Sequence, residues 1–142
     1  ITWTEQVFPD VTSGGVGDST ATQWQSITYG KNKFVVLHCG DSGPCEEIEK
    51  RTVNANVIIL EMGMPDIGDF PYHYTPKGVK DLSERNPDKM ILVTHNYASS
   101  KNNSEGFPIP DLPENVHQLE DGDAIIFDEN GAVTLLKKGE EK

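Results

Sequence analysis

The stretch Phe34-Val-Val-Leu-His-Cys-Gly-Asp41 joins an uninterrupted apolar run to a glycine and a carboxylate. Two similar runs follow it: Val57-Ile-Ile-Leu60, which leads directly into Glu61, and Met90-Ile-Leu-Val93, which ends two residues before His95. Short continuous apolar runs of this kind are typical of strands that are covered on both faces, as in a parallel sheet. These runs predict a buried sheet with polar residues at its strand ends.

Two helical segments separate the three predicted strands. Pro44 suits the first turn of a helix over Cys45–Val53. Thr75 is the predicted N-cap of a second helix, which begins at Pro76 and continues to Arg85. The order strand-helix-strand-helix-strand between residues 34 and 94 predicts an α/β fold, with a mixed β-sheet and flanking helices.

The flanking segments extend this core into a single α/β domain or half-domain over residues 1–142. Residues 1–22 are rich in Gly, Ser, Thr and Asp and predict a loop-rich entry segment, and residues 137–142 predict a frayed tail. Trp24–Tyr29 is expected to form a β-hairpin with the first apolar run. Further short strands, expected to add an antiparallel or mixed edge, are predicted at Val116–Leu119, Ala124–Phe127 and Val133–Leu136.

Composition excludes some classes of function. The net charge of −11 argues against strong nucleic-acid binding by this segment. No stretch approaches the roughly 20 apolar residues of a membrane span, and no signal peptide is visible at Ile1-Thr2-Trp3. Cys39 and Cys45 do not make a disulfide framework, so a cytoplasmic protein is expected. Because no initiator Met is present, we expect that residue 1 is not the natural start.

Residues with metal-binding or acid–base chemistry follow the predicted strands. Asp41, Glu61 and His95 each come after one apolar run, and His73 lies just before the second helix. Ligands of open α/β sheets gather at the carboxyl ends of the strands, so these side chains are expected to converge. Each also has an ordinary structural interpretation: Asp41 as an Asx-turn residue, and Glu61 or His73 as polar loop residues.

Several motifs, taken in order, resemble the metallo-β-lactamase superfamily. Val36-Leu-His-Cys-Gly-Asp-Ser-Gly43 resembles its strand followed by Gly-Asp-Thr/Ser-Gly, and Ile58-Ile-Leu-Glu61 is similar to its next strand. His73-Tyr-Thr-Pro76 looks like the His-x-Thr loop of ribonuclease Z and of class II cyclic-nucleotide phosphodiesterases, and Ile91-Leu-Val-Thr-His95 looks like a late strand that ends in a histidine ligand. Leu119–Ile126 looks like the closing strands. The resemblance covers about residues 16–127 and implies the C-terminal half of an αββα sandwich.

The resemblance implies a role for each strand-end residue. Asp41 would bridge two divalent metal ions, with zinc expected, and His95 would be a terminal ligand of one of them. Glu61 and His73 would form a catalytic dyad at the scissile phosphate. The implied activity is metal-dependent hydrolysis, with a phosphodiester in a small-molecule or nucleotide substrate as the leading class and a metal-activated water as nucleophile.

The sequence departs from the family at its first metal-binding motif. The four histidines, at positions 38, 73, 95 and 117, are too far apart to form His-x-His-x-Asp-His. We therefore expect weak or absent metal binding by the isolated chain. A missing N-terminal half, or a second copy, is expected to cover the exposed sheet face. The alternative is a non-catalytic α/β accessory or interaction domain with a degenerate metal site.

Overall fold

A computed structural model of the chain describes residues 2–8, 22–29, 32–39, 43–44, 46–68, 73–98, 103, 105–128 and 130–139. Within these ranges the secondary structure elements, in chain order, are β1 (Thr2–Phe8), β2 (Thr22–Tyr29), β3 (Asn32–His38), α1 (Glu46–Thr52), β4 (Val57–Met62), α2 (Pro76–Arg85), β5 (Met90–Asn96), β6 (Val116–Gln118), β7 (Ala124–Phe127) and β8 (Val133–Leu136). The predicted hairpin and the predicted α/β alternation are both confirmed.

The described strands form a mixed main sheet in the order β1-β2-β3-β4-β5-β6. β1, β2 and β3 pair antiparallel, whereas β3, β4, β5 and β6 pair parallel. Because β3, β4 and β5 run in the same direction, their carboxyl ends lie at one edge of the sheet. Glu61 and His95 lie near the ends of β4 and β5 and therefore belong to that edge.

Both faces of the central strands are buried, which explains their continuous apolar sequences. Val35 and Leu37 of β3 point to the face that α1 and α2 cover, where Ile48 and Leu82 join the core. Arg85 of α2 forms an ion pair with Glu49 of α1 on the outside of this layer. In the described residues, no helix is long and apolar enough to cross a membrane.

The opposite face of the sheet packs against the β7–β8 hairpin. Phe34 and Val36 point to this side, and the Phe34 ring lies 4.9 Å from that of Phe127 between centroids. The predicted antiparallel or mixed edge made by the terminal strands was wrong. β6 adds a parallel edge, whereas β7 and β8 pair only with each other in the described residues and lie across the sheet face. Their apolar residues reach the core by covering a face, which strand propensity alone does not reveal.

Two further expectations are corrected. Residues 2–8 are not loop but strand β1, because Thr2-Trp-Thr-Glu-Gln-Val-Phe8 is rich in β-branched and aromatic residues and pairs along its length with β2. Lys137 and Lys138 are not frayed. The Lys137 ammonium donates to Asp123 Oδ2 at 2.6 Å, and the Lys138 amide donates to Asp123 Oδ1 at 2.9 Å. Residues 9–21 and 140–142 lie outside the described residues.

Helix α2 begins where the sequence predicts and borders the strand-end edge. The Thr75 side chain accepts a hydrogen bond from the Gly78 amide at 3.4 Å, and Pro76 occupies the first turn. The Asp66 carboxylate accepts from the Lys77 amide at 3.1 Å, so the loop after β4 also caps the helix. These contacts place the segment that carries His73 against the end of β4.

Candidate functional site

Glu61 and His73, the predicted dyad, are in direct contact. His73 Nδ1 lies 2.7 Å from Glu61 Oε1. The Glu61 carboxylate is almost entirely buried near the end of β4, at 1% exposure, whereas the His73 side chain is 34% exposed. A buried carboxylate that holds one nitrogen of a partly exposed imidazole fixes the orientation of the ring and directs Nε2 elsewhere.

Two backbone amides complete the surroundings of Glu61. Gly63 donates to Oε2 at 2.6 Å, and Tyr74 donates to Oε1 at 3.3 Å. Burial raises the pKa of the Glu61 carboxyl above its ordinary value, against the opposing effect of hydrogen bonds from Gly63, His73 and Tyr74. The Glu61 carboxylate therefore links the end of β4 to the backbone at Gly63 and at Tyr74, and it also orients the His73 imidazole.

His73 faces an open groove at the start of α2. The groove has a volume of about 460 Å³, and its lining includes Asp66, Thr75, Lys77 and Asp81 besides His73. Lys77 pairs with Asp81 at 2.9 Å on the helix surface. Since Nδ1 is engaged by Glu61, Nε2 is the ring nitrogen available for proton exchange with a ligand.

His95 stands beside the dyad on an irregular part of β5. The pairing of β4 with β5 shifts between Glu61, which lies opposite Thr94, and Met62, which lies opposite Asn96, so that His95 has no counterpart. Its φ of +46° is in the left-handed region, which is uncommon for a residue with a Cβ atom. The exposed His95 ring lies edge-on to His73, with centroids 6.5 Å apart. Bulges of this kind re-aim a side chain.

The described residues do not fit a complete metal centre. Asp41, the predicted bridging ligand, lies outside them. Within them, no group of three His, Cys, Asp or Glu side chains is placed to hold an ion. His95 and His73 are close to each other, but a catalytic zinc site typically has about three protein ligands. The metal role of Asp41 and His95 stays a prediction.

Gly63 is a site residue that the sequence interpretation missed. Besides its bond to Glu61, it leaves no room for a side chain: a Cβ atom would stand 2.9 Å from Glu61 Oε2 and 3.6 Å from His73 Nδ1. The available signal was a glycine two residues after a carboxylate at a strand end. Close approach to that carboxylate is a reason for glycine that the sequence alone does not distinguish from an ordinary turn.

No protein-family profile and no curated protein matches the chain. Among solved structures, the chain is similar to YhfI from Bacillus subtilis, a metallo-β-lactamase fold protein, with a TM-score of 0.50 and 16% identity over 70% of this chain and 40% of that one. It is also similar to an isothiocyanate hydrolase from Delia radicum gut bacteria, with a TM-score of 0.53 and 8% identity over 93% of this chain and 52% of that one.

At such identities the likeness concerns the fold. The chain spans 40% and 52% of the lengths of these two structures. The ribonuclease Z and phosphodiesterase branch, to which His73-Tyr-Thr-Pro76 is similar, stays a prediction. The mixed sheet with helices on one face and a hairpin on the other, together with the two structural matches, confirms the predicted fold class. The described residues have a fold similar to that of YhfI, a metallo-β-lactamase fold protein.

Proposed function

We propose that this chain is part of a metal-dependent hydrolase of the metallo-β-lactamase superfamily and that it supplies the acid–base dyad for a phosphodiester substrate. The observation that carries the proposal is the 2.7 Å contact between the buried Glu61 carboxylate and the partly exposed His73 imidazole, beside a groove wide enough for a ligand. A buried carboxylate paired with an accessible imidazole is a common acid–base arrangement.

The proton transfer follows from the orientation of the ring. Glu61 accepts a hydrogen bond from the Nδ1–H group of His73. The exchangeable proton of protonated His73 is therefore the one on Nε2. As a water oxygen forms a bond to phosphorus and the bond between phosphorus and the departing oxygen breaks, Nε2 donates this proton to the departing oxygen and His73 becomes neutral. The Glu61 carboxylate stabilises the protonated ring before transfer and keeps the Nδ1 tautomer afterwards.

Most of the metal ligands that this proposal needs lie outside the described residues. We expect Asp41 and His95 to be two of the ligands of a pair of divalent ions, zinc being the expected metal, with the remaining ligands outside this chain. No proton-transfer step of the dyad depends on their positions. The structural match to an isothiocyanate hydrolase supports hydrolysis as the reaction class, and phosphodiester specificity rests on His73-Tyr-Thr-Pro76.

The apolar face behind the hairpin supports a partner for this chain. Ile59, Met90 and Leu119 are only partly buried on that face. Since the chain spans 40% and 52% of its structural matches, we propose that an N-terminal half of the same fold covers this surface. Sedimentation should show either complex formation with that half or, in its absence, self-association. A monomer at high concentration that takes up no hydrophobic dye contradicts this interface.

The dyad is tested with leaving groups of different basicity. In the protein that contains this chain, His73→Ala should lower turnover on a phosphodiester with an alkyl leaving group by roughly 10²–10⁴. A nitrophenyl leaving group needs less proton donation and should be affected less, while metal content stays unchanged. His117→Ala, which removes an imidazole on β6, is the matched control and should retain activity.

If His73→Ala slows both substrates equally, or if it releases the metal ions, the leaving-group role is wrong. If no phosphodiester is cleaved by the metal-loaded protein, the non-catalytic accessory domain becomes the better interpretation.

A further inference from the structure

An apolar cleft lies on the other side of the loop that follows β4. It has a volume of about 270 Å³. One wall is the segment from Gly63 to Ile67, and the other is formed by Tyr97 and Phe107, with Glu105 also in the lining. Ile67 keeps 63% of its surface exposed there. A cavity of about 150 Å³ is sufficient for a benzene ring, so this cleft is large enough for an aromatic group.

The aromatic wall is held in place by a dedicated set of hydrogen bonds. The Asn103 side chain accepts from the Phe107 amide at 2.8 Å and donates to the Phe107 carbonyl at 2.7 Å. Gly106, with a φ of +72°, allows the intervening turn. The Tyr97 amide donates to the Met62 carbonyl at 3.0 Å, and the Tyr97 and Phe107 rings meet at 83° with centroids 6.2 Å apart. Two preorganised rings offer a surface suited to a third.

The charges at this cleft are negative. Glu105 is exposed in its lining. Burial, and then the nearby Asp66 carboxylate, raise the pKa of the Tyr97 phenol. A positively charged ligand would meet the Glu105 carboxylate and two aromatic rings, whereas an anionic one would be repelled.

Gly63 connects the cleft with the dyad. Gly63 lines the cleft, and its backbone amide donates a hydrogen bond to Glu61. A Cβ atom added at Gly63 would lie 3.6 Å from His73 Nδ1, so this residue is close to both members of the dyad. We propose that the cleft binds a flat aromatic group that carries a positive charge, as the non-reacting part of the substrate of the Glu61–His73 dyad. This assignment of a substrate class rests on the proposed function, but the binding of an aromatic cation does not.

Binding is measured first, by NMR titration of the 142-residue chain. The probes are benzamidine, an aromatic cation; benzoate, an aromatic anion; and acetamidine, a cation without a ring. Benzamidine should shift the resonances of Tyr97 and Phe107 with a dissociation constant on the order of 1 mM, as expected for a fragment of this size. The other two probes should bind at least about threefold more weakly, because each lacks either the charge or the ring.

Three variants locate the site. Phe107→Leu keeps an apolar side chain and should weaken benzamidine roughly two- to tenfold. Glu105→Gln should reduce the preference for benzamidine over benzoate. Ile109→Ala, at a residue that is 71% exposed and not part of the cleft lining, is the control and should bind as wild type. Equal binding of benzamidine and benzoate, or no effect of Phe107→Leu, overturns the proposal.

The link to the dyad is tested in the metal-loaded protein that contains this chain, with two substrates that share the same leaving group. Both are nitrophenyl phosphodiesters, one with an amidinobenzyl group as its second ester and one with an ethyl group. The first should have the higher kcat/KM, and Phe107→Leu should remove the advantage. If both are cleaved at equal rates, the cleft is not a substrate site, although the dyad stands. If neither is cleaved while benzamidine binds as described, the proposed function fails and the aromatic-cation site remains.

Discussion

The imidazole of His73 meets that of His95 edge-on, with ring planes at 89° and centroids 6.5 Å apart. One ring comes from the loop before α2 and the other from the irregular end of β5. Their meeting point is the carboxyl edge of the parallel strands, where Glu61 also lies. The three residues are far apart in sequence, and it is the parallel order of β4 and β5 that brings them together.

This pair of rings leads to a prediction for zinc. His73 is held by Glu61 through Nδ1, and His95 adds a second imidazole beside it, but the described residues hold no group of three side chains placed to bind an ion. We expect weak zinc binding by isothermal titration, with little change in Asp41→Ala. A tight site that is lost in Asp41→Ala would contradict the half-site interpretation.

Local sequence signals predicted an element best where the interactions that form the element are themselves local. Helix α2 occupies Pro76–Arg85 as predicted, because the Thr75 cap and the proline at its first position act within one turn. The central apolar runs were also recognised, although β5 continues to Asn96. By contrast, β1 was missed because its stability depends on pairing with β2, which is not a local property.

The geometry of the site was only partly predictable. The Glu61–His73 contact was expected from the family resemblance, and the structure confirms that the two residues meet. The bulge at His95 results from the register between β4 and β5, which no single strand sequence encodes. The positioning of Phe107 by Asn103 depends on a turn within a polar loop that had no recognised signal.

The close approach of Gly63 to Glu61 predicts a steric effect. Gly63→Ala places a Cβ atom 2.9 Å from Glu61 Oε2 and should displace the carboxylate, with a loss of about 1–3 kcal/mol in the free energy of unfolding. Chemical denaturation measures this loss. In a Glu61→Ala background the carboxylate is absent, and the same glycine substitution should cost much less. Equal costs in both backgrounds would show that the clash does not involve Glu61.

The left-handed backbone of His95 predicts a cost in stability at this position. His95→Gly removes the steric conflict of a Cβ atom at a φ of +46°, whereas His95→Ala keeps it. Both variants lose the imidazole, so the difference between their free energies of unfolding measures the backbone strain alone. His95→Gly should be more stable than His95→Ala by about 1 kcal/mol in urea denaturation. If the two are equally stable, the backbone at this position is not strained.

Glu61 predicts a pH dependence of stability with a definite sign. Burial raises its folded-state pKa above the unfolded value of 4.5, so the folded protein holds the proton more tightly than the unfolded chain does. The resulting stability is fully present below pH 4.5 and is lost as the pH rises through the folded-state pKa. Glu61→Gln does not titrate there. The stability of the wild type relative to Glu61→Gln should therefore fall as the pH increases above 4.5, measured by urea denaturation across that range.

Asp123 provides the opposite control for this measurement. Its hydrogen bond with Lys137 and the amides of Glu120 and Lys138 lower its pKa from 3.8 to about 2. Its stabilising effect is therefore complete above pH 3.8 and is lost as the pH falls through about 2. The difference in the free energy of unfolding between the wild type and Asp123→Asn should be constant between pH 5 and 7. Over the same range, the difference between the wild type and Glu61→Gln should change. A flat comparison for both variants would mean that folding does not raise the pKa of Glu61, and that the hydrogen bonds from Gly63, His73 and Tyr74 offset the effect of its burial.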